Sequence, residues 1–117
     1  DQTYQLAKKY KVKLAWGTDL LFNPANTKNQ NQGILKLQKW FSNFEILKMV
    51  THDNAELLAL SGARNPYPGK LGSIEEEAWA DLILVDGDVL KDITLLGDPE
   101  RNFAMIMKGG TIYKNRV

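Results

Sequence analysis

The aspartate at residue 19 is the first side chain in the sequence that is placed to do chemistry. It ends the run Val12-Lys13-Leu14-Ala15-Trp16-Gly17-Thr18-Asp19, a short apolar stretch that is typical of a buried strand. In parallel α/β folds, reacting groups gather at the carboxyl ends of the strands. Asp19 is therefore a candidate for a role in a reaction, and the alternative, which the local pattern by itself favours, is that Gly17-Thr18-Asp19 only forms the turn that ends a strand.

The remaining candidates for chemistry are weaker. The chain has no cysteine, which excludes a disulfide framework, a thiolate zinc site and a cysteine nucleophile. Its one histidine, His52, is expected to be an exposed helix-cap residue rather than a metal ligand. A Ser-His-Asp triad is not indicated, because the serines lack a neighbouring His–acid pair. The run Glu75-Glu76-Glu77 is predicted to be a solvated surface, and Lys108-Gly109-Gly110-Thr111 has too few glycines for a phosphate loop.

Composition indicates a modest globular domain with a real core. The 117 residues are 44% hydrophobic and 25% charged, with a formal net charge of +1. This charge balance argues against nucleic acid or an anionic membrane as a partner. No apolar stretch approaches the roughly 18–20 residues that a membrane span requires. The opening Asp1-Gln2-Thr3 lacks an initiator Met and falls in a helix-like pattern, so we expect a fragment. A cytoplasmic location is favoured.

The first part of the chain must position Asp19, and its pattern predicts helices around the strand. We expect a helix over 3–10, the strand over 12–18, a long polar loop over 19–32 and a helix over 33–41 with Ile34, Leu37 and Phe41 on one face. The three tryptophans, at 16, 40 and 79, are expected in the core or in contacts between domains.

Two more short helices are predicted to follow. Ser42-Asn43-Phe44-Glu45 matches a capping box, with Phe44, Leu47 and Val50 as the buried stripe. Thr51 or Asp53 is expected to cap a third helix, with Ala55, Leu58 and Ala59 sharing a face, which ends near Ser61-Gly62.

The pattern changes to β after the turn Asn65-Pro66-Tyr67-Pro68-Gly69. We predict strands at 71–74 and 80–86, a helical turn within 88–96 and a turn at Asp98-Pro99-Glu100. The capping-box pattern at 73–76 is interpreted as a false match. Gly109-Gly110 lies between two apolar runs, 103–108 and 111–114, and predicts a β-hairpin because glycine supplies the positive φ of a tight turn.

Taken together in order, these pieces resemble the C-terminal end of a metal-dependent amidohydrolase, nearest to the imidazolonepropionase-like and Xaa-Pro dipeptidase-like branch. The resemblance covers nearly the whole chain. The residues that carry it are Trp16-Gly17-Thr18-Asp19, Thr51-His52-Asp53-Asn54-Ala55-Glu56-Leu57-Leu58 with Leu60 and Gly62, Leu71-Gly72-Ser73-Ile74, Ala80-Asp81-Leu82-Ile83-Leu84-Val85-Asp86-Gly87-Asp88 and Met107-Lys108-Gly109-Gly110-Thr111-Ile112-Tyr113.

The resemblance implies an α/β fold: residues 1–64 as the end of a (β/α)8 barrel, with 12–18 as its last strand, and 65–117 as part of a small β-sandwich. It implies that Asp19 is both a ligand of a divalent metal, with zinc the first expectation, and the group that handles the proton of the attacking water. The family's other ligands, chiefly histidines, are absent here, so we expect the 117 residues to bind no metal and to hydrolyse nothing by themselves.

Two functions are therefore considered. The first is the C-terminal part of a hydrolase that cleaves a C–N bond in a cyclic amide, amidine or dipeptide-like small molecule, with the missing N-terminal part of the same enzyme as its partner. The second is a non-catalytic structural or oligomerisation module. Because strand 12–18 would have two unpaired edges, we also expect the chain alone to self-associate as a homo-oligomer or to leave 1–18 partly disordered.

Overall fold

The structure, a computed structural model, describes all residues from 1 to 117. It is an α/β fold with a helical first half and a three-stranded sheet in the second. The α-helices are α1 (Gln2–Lys9), α2 (Gln30–Leu35), α3 (Asn43–Lys48), α4 (Asn54–Ala59) and α5 (Pro99–Asn102), and the strands are β1 (Leu82–Val85), β2 (Phe103–Lys108) and β3 (Thr111–Asn115). Four 3₁₀ segments (Pro24–Asn29, Lys36–Lys39, Gly62–Arg64 and Ile93–Gly97) and a π-helical turn (Met49–Asp53) complete the secondary structure.

The predicted strand at 12–18 is not formed. The segment follows α1 and pairs with no strand, since the sheet of the structure contains only β1, β2 and β3. A strand exists only as part of a hydrogen-bonded ladder, so the apolar pattern alone could not create one. The predicted polar loop over 19–32 is also partly wrong. Pro24 begins a 3₁₀ segment there, as its fixed φ favours, and α2 already starts at Gln30.

The capping box is confirmed and starts the longest helical stretch. The Ser42 hydroxyl accepts a hydrogen bond from the Glu45 N–H, and the Glu45 carboxylate accepts one from the Ser42 N–H at 2.8 Å. The two helices predicted after this point are in fact one stretch, because α3 continues through the π-helical turn into α4. Neither Thr51 nor Asp53 caps a helix. Gly62, just beyond the end, has a φ of +56°.

The buried face of this long helix differs from the predicted one. Ile46 and Met49 are its buried residues, whereas Phe44 is 63% exposed and Leu47 and Val50 are half-buried. Leu58 and Ala59 are exposed as well, so the predicted face with Ala55 is not a core face. The prediction for the preceding helical segment is confirmed, because Ile34, Leu37 and Phe41 are all buried.

The sheet is antiparallel in the order β1-β2-β3. The hairpin is confirmed: β2 and β3 pair around Gly109 and Gly110, whose φ angles are +54° and +80°. The strand predicted at 80–86 is present but shorter. The strand predicted at 71–74 is wrong, since Ile74 is 90% exposed and only an isolated bridge joins Lys70 to Ala78.

The helical turn predicted within 88–96 is present, whereas the segment predicted as a plain turn at 98–100 is also helical. Ile93–Gly97 forms a 3₁₀ segment that buries Ile93 and Leu96, although Leu90 remains exposed. The predicted turn at 98–100 instead starts α5. Its cap is the Asp98 side chain, which accepts a hydrogen bond from the Arg101 N–H.

One hydrophobic cluster joins the helical half to the sheet half. Its members come from both sides of residue 65, and they are Ile34, Leu37, Phe41, Ile46, Met49, Ile93, Leu96 and Phe103. Trp16 and Trp40 pack against it, as expected, whereas Trp79 stacks edge-on against Tyr67. None of the helices has the length and apolar character that crossing a membrane would demand.

Candidate functional site

Asp19 lies at the end of the extended segment, on the surface. Its backbone has a φ of +50°, a left-handed conformation that aspartate tolerates better than most residues. The side chain is exposed and makes no hydrogen bond or salt bridge within the chain. The structure thus presents an exposed carboxylate at residue 19 that belongs to no group of three metal-ligating side chains.

The segment that carries Asp19 is fixed to the long helix at Trp16. The Asn54 side chain accepts a hydrogen bond from the Trp16 N–H at 2.8 Å and donates one to the Trp16 carbonyl at 3.0 Å. An exposed pair between Lys13 and Glu56, 3.1 Å apart, joins the same segment to the same helix. The Asn54 side chain therefore makes the two main-chain hydrogen bonds to Trp16 that a neighbouring strand could make.

The Trp16 side chain provides a second attachment. A Cβ added at Gly33 would lie 3.0 Å from the Trp16 ring, so α2 and the indole are in close contact. The ring also packs against the hydrophobic cluster. Both the main chain and the side chain of Trp16 are thus held, three residues before Asp19.

Asn54 was not predicted from the sequence. Asparagine is a poor helix former because its side chain competes for main-chain hydrogen bonds. An asparagine inside a helical pattern therefore indicates a side chain with another hydrogen-bond partner, but it does not identify Trp16 as that partner.

His52 lies in the π-helical turn and is exposed, so the prediction of exposure is confirmed and that of a helix cap is wrong. Its side chain lies beside Asp53 and Glu56, with ligand atoms within 4.8 Å of one another. Asp53 is already paired, because Lys48 donates to it and His52 Nδ1 lies 3.1 Å away. Burial acts to raise the pKa of Asp53, but the hydrogen bonds from Lys48 and His52 outweigh it and hold the pKa below the ordinary value.

A cavity of about 620 Å³ opens next to these residues, between α4 and the segment before the sheet. Its polar lining includes His52, Glu56, Lys70 and Glu75. Hydrogen bonds from the Ser73 hydroxyl and from Lys70 lower the pKa of Glu75. Asp19 does not line this cavity, so the structure does not bring the predicted catalytic residue to it.

The other sequence candidates have structural roles. Ser42 is held in the capping box, and the Ser73 hydroxyl donates to Glu75 at 2.7 Å. Gly109, in the hairpin turn between Lys108 and Thr111, donates its N–H to the Asp81 side chain at 2.7 Å. None of these groups is arranged as a nucleophile or a phosphate loop.

A divalent metal requires more ligands than the chain places near Asp19. A free carboxylate can supply one oxygen ligand to a metal ion, because hard and borderline cations bind oxygen donors. Catalytic zinc sites use three protein ligands. The group of three such side chains that lie close together, His52, Asp53 and Glu56, does not include Asp19.

No family model and no curated protein matches the sequence, but solved structures do. An amidohydrolase aligns with a TM-score of 0.82 and 29% identity over 97% of this chain and 25% of its own. A prolidase crystallised with N-methylphosphonate-L-proline aligns with a TM-score of 0.80 and 26% identity, over 97% of this chain and 26% of its own.

Ochratoxinase from A. niger also aligns, with a TM-score of 0.77, over 97% of this chain and 24% of its own. Its 24% identity supports a shared fold and nothing finer. The chain spans about a quarter of the length of the structures that it matches. Together the first two likenesses confirm the resemblance seen in the sequence: over nearly its whole length the chain is similar to one part of an amidohydrolase and of a prolidase.

Proposed function

We propose that these residues are the C-terminal part of a metal-dependent amidohydrolase that hydrolyses a C–N bond in a cyclic amide, amidine or dipeptide-like substrate. The observation that carries this proposal is the alignment of 97% of the chain with an amidohydrolase at 29% identity and with a prolidase at 26%. In this proposal, sequence outside the 117 residues supplies both the strands that pair with residues 12–18 and the remaining metal ligands.

Asp19 is the residue of this chain that we assign to the reaction. A bound divalent metal would supply acidity, lowering the pKa of a bound water to about 7. The Asp19 carboxylate would contribute one oxygen ligand and accept the proton of the attacking water. It would then donate that proton to the leaving nitrogen, which completes general acid–base catalysis by one group. Its exposure and lack of an internal partner leave it available for both roles.

The test uses the natural full-length chain that contains these residues. Metal content is measured by mass spectrometry, and hydrolysis is assayed on panels of dipeptides, cyclic amides and cyclic amidines. We expect Asp19→Asn to lower the rate at least about 100-fold, the lower range for a group that transfers protons. It should also reduce bound metal while the circular dichroism spectrum is retained.

Asp86→Asn is the matched control, since Asp86 is likewise exposed and makes no side-chain hydrogen bond or salt bridge. It should leave metal content and rate unchanged. Full metal binding and activity in Asp19→Asn would contradict the assignment of Asp19. A full-length chain that binds no metal would instead favour the non-catalytic module.

A further inference from the structure

Asn54 is a helical residue whose side chain serves a different segment. It is half-buried at the start of α4, and its amide contacts both main-chain groups of Trp16. Its contact with the Val50 carbonyl, one turn earlier, is 3.5 Å long, beyond the usual range of about 2.7–3.2 Å for an N–H···O bond. The amide is therefore directed to Trp16 rather than to its own helix.

These two hydrogen bonds have no substitute in the extended segment. Between residues 13 and 19, the main chain makes hydrogen bonds at Trp16 alone, and both go to Asn54. The Lys13–Glu56 pair is exposed and joins side chains, so it restrains the main chain weakly. Asn54 thus supplies the polar restraint on the path of the chain toward Asp19.

We propose that Asn54 is a positioning residue for Asp19, a role that rests on the proposed function. Asp19 follows Trp16 by three residues, about 10 Å of extended chain, so releasing Trp16 allows the carboxylate to shift. A displacement of about 1 Å at a catalytic group is enough to lower a rate about 100-fold. Asn54 touches neither substrate nor metal in this proposal, and it acts only by fixing the main chain.

The experiment compares three variants of the natural full-length chain. Asn54→Leu keeps the size and removes both hydrogen bonds, whereas Asn54→Asp keeps the shape and an acceptor for the Trp16 N–H but loses the donor to the Trp16 carbonyl. Asn31→Leu is the matched control, because Asn31 is also half-buried and donates to a distant main-chain carbonyl, that of Leu96, at 2.8 Å.

Two measurements separate positioning from general stability. Zn²⁺ affinity, measured by competition with a chelator, should fall about 10- to 100-fold in both Asn54 variants, the range seen when a residue that orients a ligand is lost. Amide hydrogen exchange at Trp16 should accelerate in the same variants. Asn31→Leu should lower the unfolding midpoint while leaving Zn²⁺ affinity and Trp16 exchange unchanged.

The outcomes distinguish the two proposals. If Asp19→Asn loses Zn²⁺ affinity but both folded Asn54 variants retain it, the positioning role is wrong and the proposed function stands. If Asp19→Asn binds Zn²⁺ as the wild type does, the proposed function fails and the role of Asn54 fails with it. If Asn54→Leu does not fold, Asn54→Asp decides, and loss of fold in both variants overturns the proposal because a positioning residue is not needed for folding.

Discussion

Gly72 packs directly on the main chain of Thr51. A Cβ at residue 72 would lie 2.5 Å from the Thr51 carbonyl oxygen, and Gly72 itself has a φ of +73°. This close approach joins the irregular segment before the sheet to the π-helical turn of the long helix. The residues on either side of Gly72 in the sequence, Leu71 and Ser73, both line the cavity.

We predict that Gly72→Ala is strongly destabilising. The left-handed conformation costs an L-residue about 1–2 kcal/mol, and forcing a methyl group against main-chain atoms adds about 1–3 kcal/mol. Gly62→Ala is the control, since Gly62 also has a positive φ, +56°, but nothing within 4 Å of its added Cβ. Urea denaturation of both variants should show the larger loss at residue 72. Equal losses of unfolding free energy in the two variants would mean that the main chain near Thr51 moves aside at little cost.

Ile46→Ala should lower the free energy of unfolding by about 2–5 kcal/mol, because Ile46 is fully buried in the shared cluster. Leu60→Ala provides the comparison, as Leu60 is 82% exposed. Its effect should stay within about 0.5 kcal/mol. The measurement is again the urea unfolding transition, and a small loss at Ile46 would contradict the observed core.

Glu45 makes stability depend on pH. The Ser42 backbone N–H, foremost among its partners, holds the pKa of Glu45 below its ordinary value of 4.5, against the opposing effect of partial burial. Because the folded pKa is the lower one, the ionised side chain stabilises the fold above pH 4.5, and this contribution is lost as the pH falls through the folded pKa.

Glu45→Gln should therefore differ from wild type in unfolding free energy above pH 5, and the difference should change as the pH drops below 4.5. Glu76→Gln, a change at an exposed glutamate without hydrogen bonds, should show no such trend. Parallel curves for wild type and Glu45→Gln between pH 3 and 6 would count against the capping interaction as the cause.

The isolated 117-residue chain should hydrolyse nothing, with or without added Zn²⁺. In the proposed function Asp19 would supply one ligand, and three are usual at a catalytic zinc. The assay is the same substrate panel that is applied to the full-length chain, with purified isolated chain at equal concentration. Metal-dependent turnover by the isolated chain would contradict the proposal that the remaining metal ligands come from sequence outside these 117 residues.

Two local sequence signals predicted the structure that they mark. The hairpin follows from Gly109-Gly110, where two consecutive positive φ angles suit glycine, and the capping box follows from the spacing of Ser42 and Glu45. Both depend on residues close in sequence. The amidohydrolase resemblance depended on the order of several such pieces, and the structural matches bear it out.

Features that depend on distant contacts were missed. Apolar residues at 44, 46, 47, 49 and 50 allow two different buried faces, and packing beside Ile93 and Phe103 selects Ile46 and Met49. The apolar run at 12–18 has the composition of a strand but no ladder partner in the chain. The link between Trp16 and Asn54 spans 38 residues, and no local pattern reveals such a pairing. The role of Asp19 stays a prediction that the full-length chain must test.

The shared cluster has a consequence for synthesis on the ribosome. Ile34, Leu37 and Ile46 are synthesised before Phe103, yet the cluster that buries them includes Phe103. The helical half therefore keeps an uncovered apolar face until translation has passed β2. Exposed apolar surface favours aggregation, so a pause in translation before Phe103 would prolong the interval in which the nascent chain is at risk.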